Sequence, residues 1–323
     1  MKSARTPAVW AGPILAVLIA FAWLPARAQK VVFMPQWTPQ TQFAGYYVAL
    51  EKGFYEEEGL DVRIVHFGGS STESVIDKLQ HHDADIITTQ MLSAMLAREK
   101  GVKLINVLQT SQENGLMCVG HSPLDSPQAL DSARIGRWKA GFGEVCDLFC
   151  YKNNLHVKWI PYIQGINLYV SGAVDALLCY NYSEYLQLVL ATGGIPEENQ
   201  IRFRDYGLDF PEDGVYVTER YYKNNKEAVD KFVRASRRGW DYAREHREEA
   251  LDISMRYIRD NNVVTNLTLQ RMMLDEVLNL QVNEETGIAD FAPVKRAVFE
   301  SLNALLRETG HLKTDLKYEE MVR

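Results

Sequence analysis

Two apolar runs, Val31-Val32-Phe33-Met34 and Val62-Arg63-Ile64-Val65, decide how this chain folds. The first is stopped by Pro35 and the second runs out toward Gly68-Gly69, so each reads as a short strand. Between them, residues 43–58 are rich in helix formers and close on Gly59, which reads as a helix. The same alternation continues. The cluster Gly68-Gly69-Ser70-Ser71-Thr72 is expected to cap a helix over residues 73–80. Ile86-Ile87 then reads as a strand, residues 91–98 as a helix and residues 104–108 as a strand. Strands alternating with helices predict an α/β fold with a mostly parallel sheet covered on both faces.

A second stretch echoes the first. Ile160-Pro161-Tyr162 is followed by a helix-like segment at 165–170, then Ser171-Gly172-Ala173-Val174-Asp175-Ala176 and an apolar strand at 177–179. Two similar α/β lobes produce such an echo. From about Arg220 the texture changes to amphipathic helices over residues 229–243, 248–259, 267–280 and 294–307. This tail is read as returning to brace the first lobe. The expected division is therefore a discontinuous first lobe, residues 29–115 plus 220–323, and a second lobe, residues 116–219, around one cleft.

Composition narrows the function. The 323 residues are 46% hydrophobic and 24% charged, with a formal net charge of −7. That much apolar material argues against disorder. The acidic balance speaks against nucleic acid as a partner. Four cysteines do not make a disulfide scaffold. Lys2 and Arg5, an apolar run over residues 8–24, and Ala26-Arg27-Ala28 have the three-part layout of a secretory signal, residues 1–28. The competing reading is an uncleaved anchor. With cleavage near Ala28-Gln29 the chain is periplasmic and its net charge becomes −10.

No catalytic constellation stands out. Nucleophile-elbow, phosphate-loop and zinc-helix patterns are absent from the sequence, and no catalytic, metal-ligating or cofactor-binding residue is assigned. His81-His82-Asp83 lacks a metal-ligand spacing. Cys146 and Cys150, four apart on a helix, read as small core residues. Cys118 and Cys179 lie in strand-like runs, and a disulfide between them is left open for an exported chain. The stronger signals suit binding. Trp37 follows the first strand, where open α/β sheets bind ligands; it either stacks on a planar ring or plugs the strand end. The loop 68–72 offers amides and hydroxyls to an anion or carbonyl, or simply caps its helix. Tyr180-Asn181-Tyr182-Ser183-Glu184 follows another strand and offers rings, an amide and a carboxylate. These segments, placed just after strands in both lobes, argue for a cleft between them.

Two longer segments carry a specific resemblance. Trp37-Thr38-Pro39-Gln40-Thr41-Gln42-Phe43-Ala44-Gly45-Tyr46-Tyr47-Val48-Ala49 and Lys52-Gly53-Phe54-Tyr55-Glu56-Glu57-Glu58-Gly59-Leu60-Asp61-Val62 resemble the thiamine-pyrimidine-precursor-binding family. Gly68-Gly69-Ser70, Ala84-Asp85-Ile86 and residues 171–176 extend it over most of the mature chain. That family contains periplasmic substrate-binding proteins of ABC importers and fungal pyrimidine synthases, and is related to sulfonate- and riboflavin-binding proteins. The resemblance implies a two-lobed periplasmic-binding-protein-like fold of type II, α/β in class, closing by a hinge on a small planar heterocycle. A thiamine pyrimidine precursor is the foremost ligand, an ABC permease the partner, and a monomer without cofactor the working form. The implied binding set is Trp37, Phe43, Gly45, Tyr46, Gly68, Gly69, Ser70, Ser71, Gln90, Tyr180, Asn181 and Glu184. Within it Trp37 stacks on the heterocycle and Glu184 pairs with ring amines.

Two departures matter. Phe43 stands where pyrimidine-making members carry a substrate-donating His, and Cys146-Asp147-Leu148-Phe149-Cys150 does not replace the synthase's clustered cysteines. Both weigh against a synthase-like enzyme, and Phe43 also brings another flat heterocycle, such as a flavin, into consideration. The remaining alternatives are a binder of riboflavin or an alkylsulfonate, and a sensor whose closed form docks on a membrane partner.

Overall fold

The computed structural model describes residues 28–66, 73–139, 143–283 and 286–323. The expected signal segment up to residue 27, and the expected site residues Gly68, Gly69, Ser70 and Ser71, lie outside the described residues.

The chain opens with β1 (Gln29–Met34). The single helix expected over residues 43–58 is two, α1 (Ala44–Glu51) and α2 (Phe54–Glu57). The break falls at Gly53, whose φ of 75° is left-handed and is taken without the Cβ clash of other residues. Next come β2 (Leu60–Ile64), α3 (Val75–Gln80), β3 (Ile86–Thr89), α4 (Met91–Glu99) and β4 (Leu104–Gln109). The cap of α3 is Ser74, in a reciprocal capping box with Asp77.

After β4 the chain crosses into a second unit. It contains β5 (Leu116–Gly120), β6 (Arg134–Trp138), α5 (Gly143–Asn153), β7 (Lys158–Tyr162), α6 (Asn167–Val170), β8 (Ala176–Tyr180), α7 (Glu184–Thr192) and β9 (Gln200–Arg202). The chain returns through β10 (Gly214–Thr218). The helices α8 (Glu219–Glu245, irregular at Asn225), α9 (Arg247–Asp260), α10 (Leu267–Leu280), α11 (Arg296–Glu308) and α12 (Tyr318–Met321) follow.

Two five-stranded sheets result, in the orders β2-β1-β3-β10-β4 and β7-β6-β8-β5-β9. The layouts match. In each, the fourth strand runs antiparallel to both neighbours, and it is the strand by which the chain arrives from the other lobe. This common layout is the physical source of the echo between the two halves. It also moves one expected boundary. Gly214 pairs with both Thr89 and Gln109, so the chain is back in the first sheet before residue 220.

The first lobe is built around β1 and α1. The Phe33 ring lies 4.7 Å from Tyr46 and 5.1 Å from Phe232. α1 and α8 approach so closely that a Cβ on Gly45 would sit 2.2 Å from the Trp240 ring, and one on Gly239 would sit 2.1 Å from the Gly45 carbonyl oxygen. Gly45 is therefore a packing residue. Tyr46 is buried against Trp240, ring centroids 5.5 Å apart. Phe43 is buried beside His66, centroids 5.9 Å apart. All three were expected to touch ligand, and all three are buried in the core: Gly45 and Tyr46 on the face of α1 that turns toward α8, and Phe43 at the end of the turn before α1, against His66.

The four cysteines are free thiols. Register explains why Cys118 and Cys179 do not bridge: Cys118 pairs with Leu178 and Met117 with Cys179, so the two thiols leave opposite faces of the sheet. Among the described residues, no helix is long and apolar enough to cross a membrane.

Candidate functional site

The carboxyl ends of β1, β3, β6 and β8 converge where the lobes meet. In a parallel sheet, side chains just past these ends face the crevice rather than the core. From the first lobe, Gln36 and Trp37 follow β1, Gln40 and Gln42 flank Thr41 in the short turn before α1, and Gln90 follows β3. From the second, Trp138 ends β6, Tyr180 ends β8, and Tyr182, Ser183 and Glu184 lead into α7. The Thr41 turn is held from outside: its amide donates to Gln270 Oε1 at 2.8 Å and its hydroxyl to the Gln270 carbonyl at 2.8 Å.

Trp37, Trp138, Tyr180, Tyr182 and Glu184 line one cavity together with the glutamines at 36, 40 and 42. Its rings form a connected set in the second lobe. Tyr180 stacks on Tyr182 with centroids 5.2 Å apart, and Trp138 lies 5.3 Å from Tyr180. Trp37 faces them from the first lobe. Gln90 Nε2 donates to the Tyr180 hydroxyl and so ties the lobes together directly. The space between these side chains is only about 20 Å³, enough for roughly one water-sized group. Small-molecule sites usually need on the order of 300 Å³ or more. The lobes are thus drawn together, and they must part to admit a ligand.

The electrostatics of the cavity are one-sided. Glu184 is 6% exposed. Its Oε1 accepts from Trp138 Nε1 at 3.1 Å and its Oε2 from the Tyr180 amide at 3.4 Å. Burial pushes its carboxyl above the ordinary value, while these donors pull the other way. Behind the lining stand two more buried acids in the returning segment. Asp213 accepts from Gln36 Nε2 and from Gln42 Nε2, the latter at 2.6 Å. Glu212 accepts from the Gly115 amide at 2.7 Å and from the Tyr182 hydroxyl at 3.0 Å. Burial raises both, Asp213 to about 6. Among the described residues lining this cavity there is no Lys, Arg or His.

His66 supports the Trp37 end. Its Nδ1 lies 3.1 Å from the Trp37 carbonyl oxygen and its Nε2 lies 2.9 Å from the Tyr47 hydroxyl. A carbonyl can only accept, so Nδ1 carries the hydrogen and Nε2 accepts from Tyr47. Burial lowers the imidazole to about 4, which keeps it neutral in this role.

Of the expected site residues, the structure brings Trp37, Tyr180 and Glu184 around one cavity, with Gln90 bonded at its edge. Asn181 turns the other way. It lines a separate, open cavity of about 510 Å³ beside the crossing strand, with Glu113, Arg202 and Glu276. Tyr180 closes β8 and residues 181–183 form the turn into α7; in that turn Tyr182 faces the cleft with Tyr180, while Asn181 faces the other cavity. The binding set expected from the sequence lacks Trp138, Glu212 and Asp213, and lacks Tyr182 although that residue stands in the ring-bearing stretch Tyr180 to Glu184. Trp138 closes β6, a strand whose charges and glycine give it no apolar run in the sequence.

Residues 40–250 match the family described as NMT1/THI5 like. The chain is 29% identical over 272 residues to the riboflavin-binding protein RibY of Chloroflexus aurantiacus, covering 80% of this chain and 75% of that one. It is 27% identical over 236 residues to the formylaminopyrimidine-binding protein of Halalkalibacterium halodurans, covering 70% and 69%. Its fold is that of the periplasmic aliphatic sulphonate binding protein SsuA of Escherichia coli, with a TM-score of 0.66 at 13% identity, covering 90% and 96% of the two chains. At that identity the likeness extends to the fold: two α/β lobes of the periplasmic-binding-protein kind.

Proposed function

The chain belongs to the NMT1/THI5-like family, and from that premise we propose that it is an exported solute-binding protein that captures a small planar nitrogen heterocycle and delivers it to an ABC permease. It works as a monomer, its first 28 residues serve as the export signal, and no catalytic residue or cofactor takes part. The observation that carries the reading is the aromatic and acidic cavity between the lobes. Trp37 and the Trp138–Tyr180–Tyr182 set supply flat surfaces from opposite sides. Glu184 supplies an acceptor for ring N–H groups or amines.

Closure follows from the same geometry. A ligand touching Trp37 on one lobe and Glu184 on the other stabilises the closed form relative to the open one, and the hinge responds. The names of the two relatives support riboflavin or a formylated aminopyrimidine as the class of ligand. An alkylsulfonate fits less well. Its anionic group would lie against Glu184, with the buried acids Glu212 and Asp213 just behind the lining and no cation among the described lining residues to offset them. Phe43, buried in the core, leaves the synthase-like alternative without its donor.

The test is a titration of the purified mature protein with riboflavin, a formylated aminopyrimidine and taurine, followed by tryptophan fluorescence. One of the two heterocycles should quench it with saturation while taurine has no effect. Saturable binding of taurine alone would overturn the reading.

A further inference from the structure

The acids of the returning segment do not line the cavity, yet they hold the side chains that do. Asp213 accepts from the side-chain amides of Gln36 and Gln42, both cavity-lining. Its carbonyl accepts from Thr110 at 2.7 Å. Glu212 accepts from the cavity-lining Tyr182 hydroxyl, and its carbonyl accepts from Gln109 Nε2 at 2.6 Å. The two carboxyl groups are neighbours in the chain and almost fully buried, 1% and 9% exposed. They sit in the crossing between the lobes, so both lobes converge on them.

We propose that Glu212 and Asp213 are positioning residues of the ligand cleft: as one buried acid pair sharing a single proton they aim Gln36, Gln42 and Tyr182, and closing the cleft on ligand takes that proton up from solvent. This rests on the cleft being the ligand site. Two adjacent carboxylates without a cation cannot both stay charged cheaply in a dry interface. The groups facing them are Tyr46 of α1, Tyr180 and Tyr182 of the second lobe, and Asp209 of the same crossing. None supplies a positive charge, and no ion pair to either acid occurs among the described residues. Burial accordingly raises both acids.

The shared proton has a consequence for recognition. The Tyr182 oxygen receives Gln42 Nε2 at 3.3 Å while its hydrogen goes to Glu212. When Glu212 carries the proton, its own hydroxyl can point at Tyr182, and the phenol hydrogen turns toward the ligand. The pair thereby sets whether Tyr182 offers the ligand a donor. The proton comes from bulk solvent on closing and returns there on opening.

The sign is fixed by linkage. Acids held higher in the closed state than in the open, hydrated one favour closure as pH falls, and stop doing so once both states are protonated. Riboflavin, neutral around pH 7, is the probe. Titration calorimetry near pH 7 in two buffers of different ionisation enthalpy should show uptake of up to about one proton per riboflavin bound. Affinity should rise by at most about tenfold per pH unit between about pH 8 and pH 6. Glu212→Gln should abolish most of this uptake, and Asp213→Asn should bind weakly with a flat pH profile. Buffer-independent heats in the wild type, or the same uptake in Glu212→Gln, would overturn the proposal. If riboflavin and a formylated aminopyrimidine both fail to bind, the ligand class falls, and the pair is judged on the free protein by infrared spectroscopy. A protonated-carboxyl band that grows in the free protein as pH is lowered from about 8 to about 6, and is missing in Glu212→Gln, supports the shared proton, because acidification alone favours closure; no band appearing in that range overturns it.

Discussion

Replacing Trp138 by Phe isolates one hydrogen bond. The Phe ring keeps the contact with Tyr180, now 5.3 Å between centroids, but removes the Nε1–H that Glu184 accepts at 3.1 Å. A buried hydrogen bond to a charged group contributes about 1.5–3 kcal/mol. Its loss should weaken binding of a formylated aminopyrimidine by roughly ten- to a hundredfold near pH 7. The pH dependence follows from the same cause. Burial already holds the Glu184 carboxyl up and Trp138 pulls it down. Without Trp138 the acid rises further, ionises only at higher pH, and binding should partly recover as pH increases. Calorimetry across pH for Trp138→Phe, Glu184→Gln and the double variant provides the check. Because Trp138 acts through Glu184, adding Trp138→Phe to Glu184→Gln should cost less than about 0.5 kcal/mol. Full additivity, or a loss independent of pH, would refute this reasoning and leave Trp138 as a stacking wall only.

Trp37→Ala should weaken ligand binding by roughly 1–3 kcal/mol with the melting temperature nearly unchanged, measured by calorimetry and circular dichroism; unaltered affinity would make Trp37 a plug of the strand end. Gly45→Ala should destabilise the fold by about 1–3 kcal/mol in urea titrations, because the new methyl meets Trp240, while the folded fraction binds ligand normally. His66, held near 4 in the native protein, should make stability fall as pH drops from about 6.5 toward 4, since the unfolded chain takes the proton first. Replacement by Gln should remove that part of the slope in denaturation curves. Four titratable thiols should appear on denaturing the protein without reductant, and the buried ones should resist alkylation in the native state.

Much of the scaffold was legible because the strands are short apolar runs and the tail helices have a clear polar face. The helix read at residues 267–280 is α10, Leu267–Leu280. β6 was not read, since Arg134-Ile135-Gly136-Arg137-Trp138 has charges and a glycine where an apolar run would show. Missing that strand hid Trp138. Glu212 and Asp213 look like a turn before Gly214, and nothing local reveals that the fold buries them. Gly45 stood in a family-like motif and read as a ligand contact. Its true neighbour, Trp240, lies nearly two hundred residues further along the chain, and a contact of that range leaves no local pattern.

The place of β10 has a consequence for how the molecule is assembled. β3 and β4 are not neighbours; the strand that sits between them is made only after the whole second lobe has been synthesised. Until Gly214–Thr218 arrives, β4 has no partner in its own sheet on that side, and its backbone groups stand open to the wrong strand. The second sheet, by contrast, draws all its strands from residues 116–202 and can close first. The sheet of the inserted lobe can therefore be completed before that of the first lobe. A fragment ending before residue 214 would leave β3 as an open edge and β4 without a partner, prone to pairing with other chains rather than to folding as half a protein.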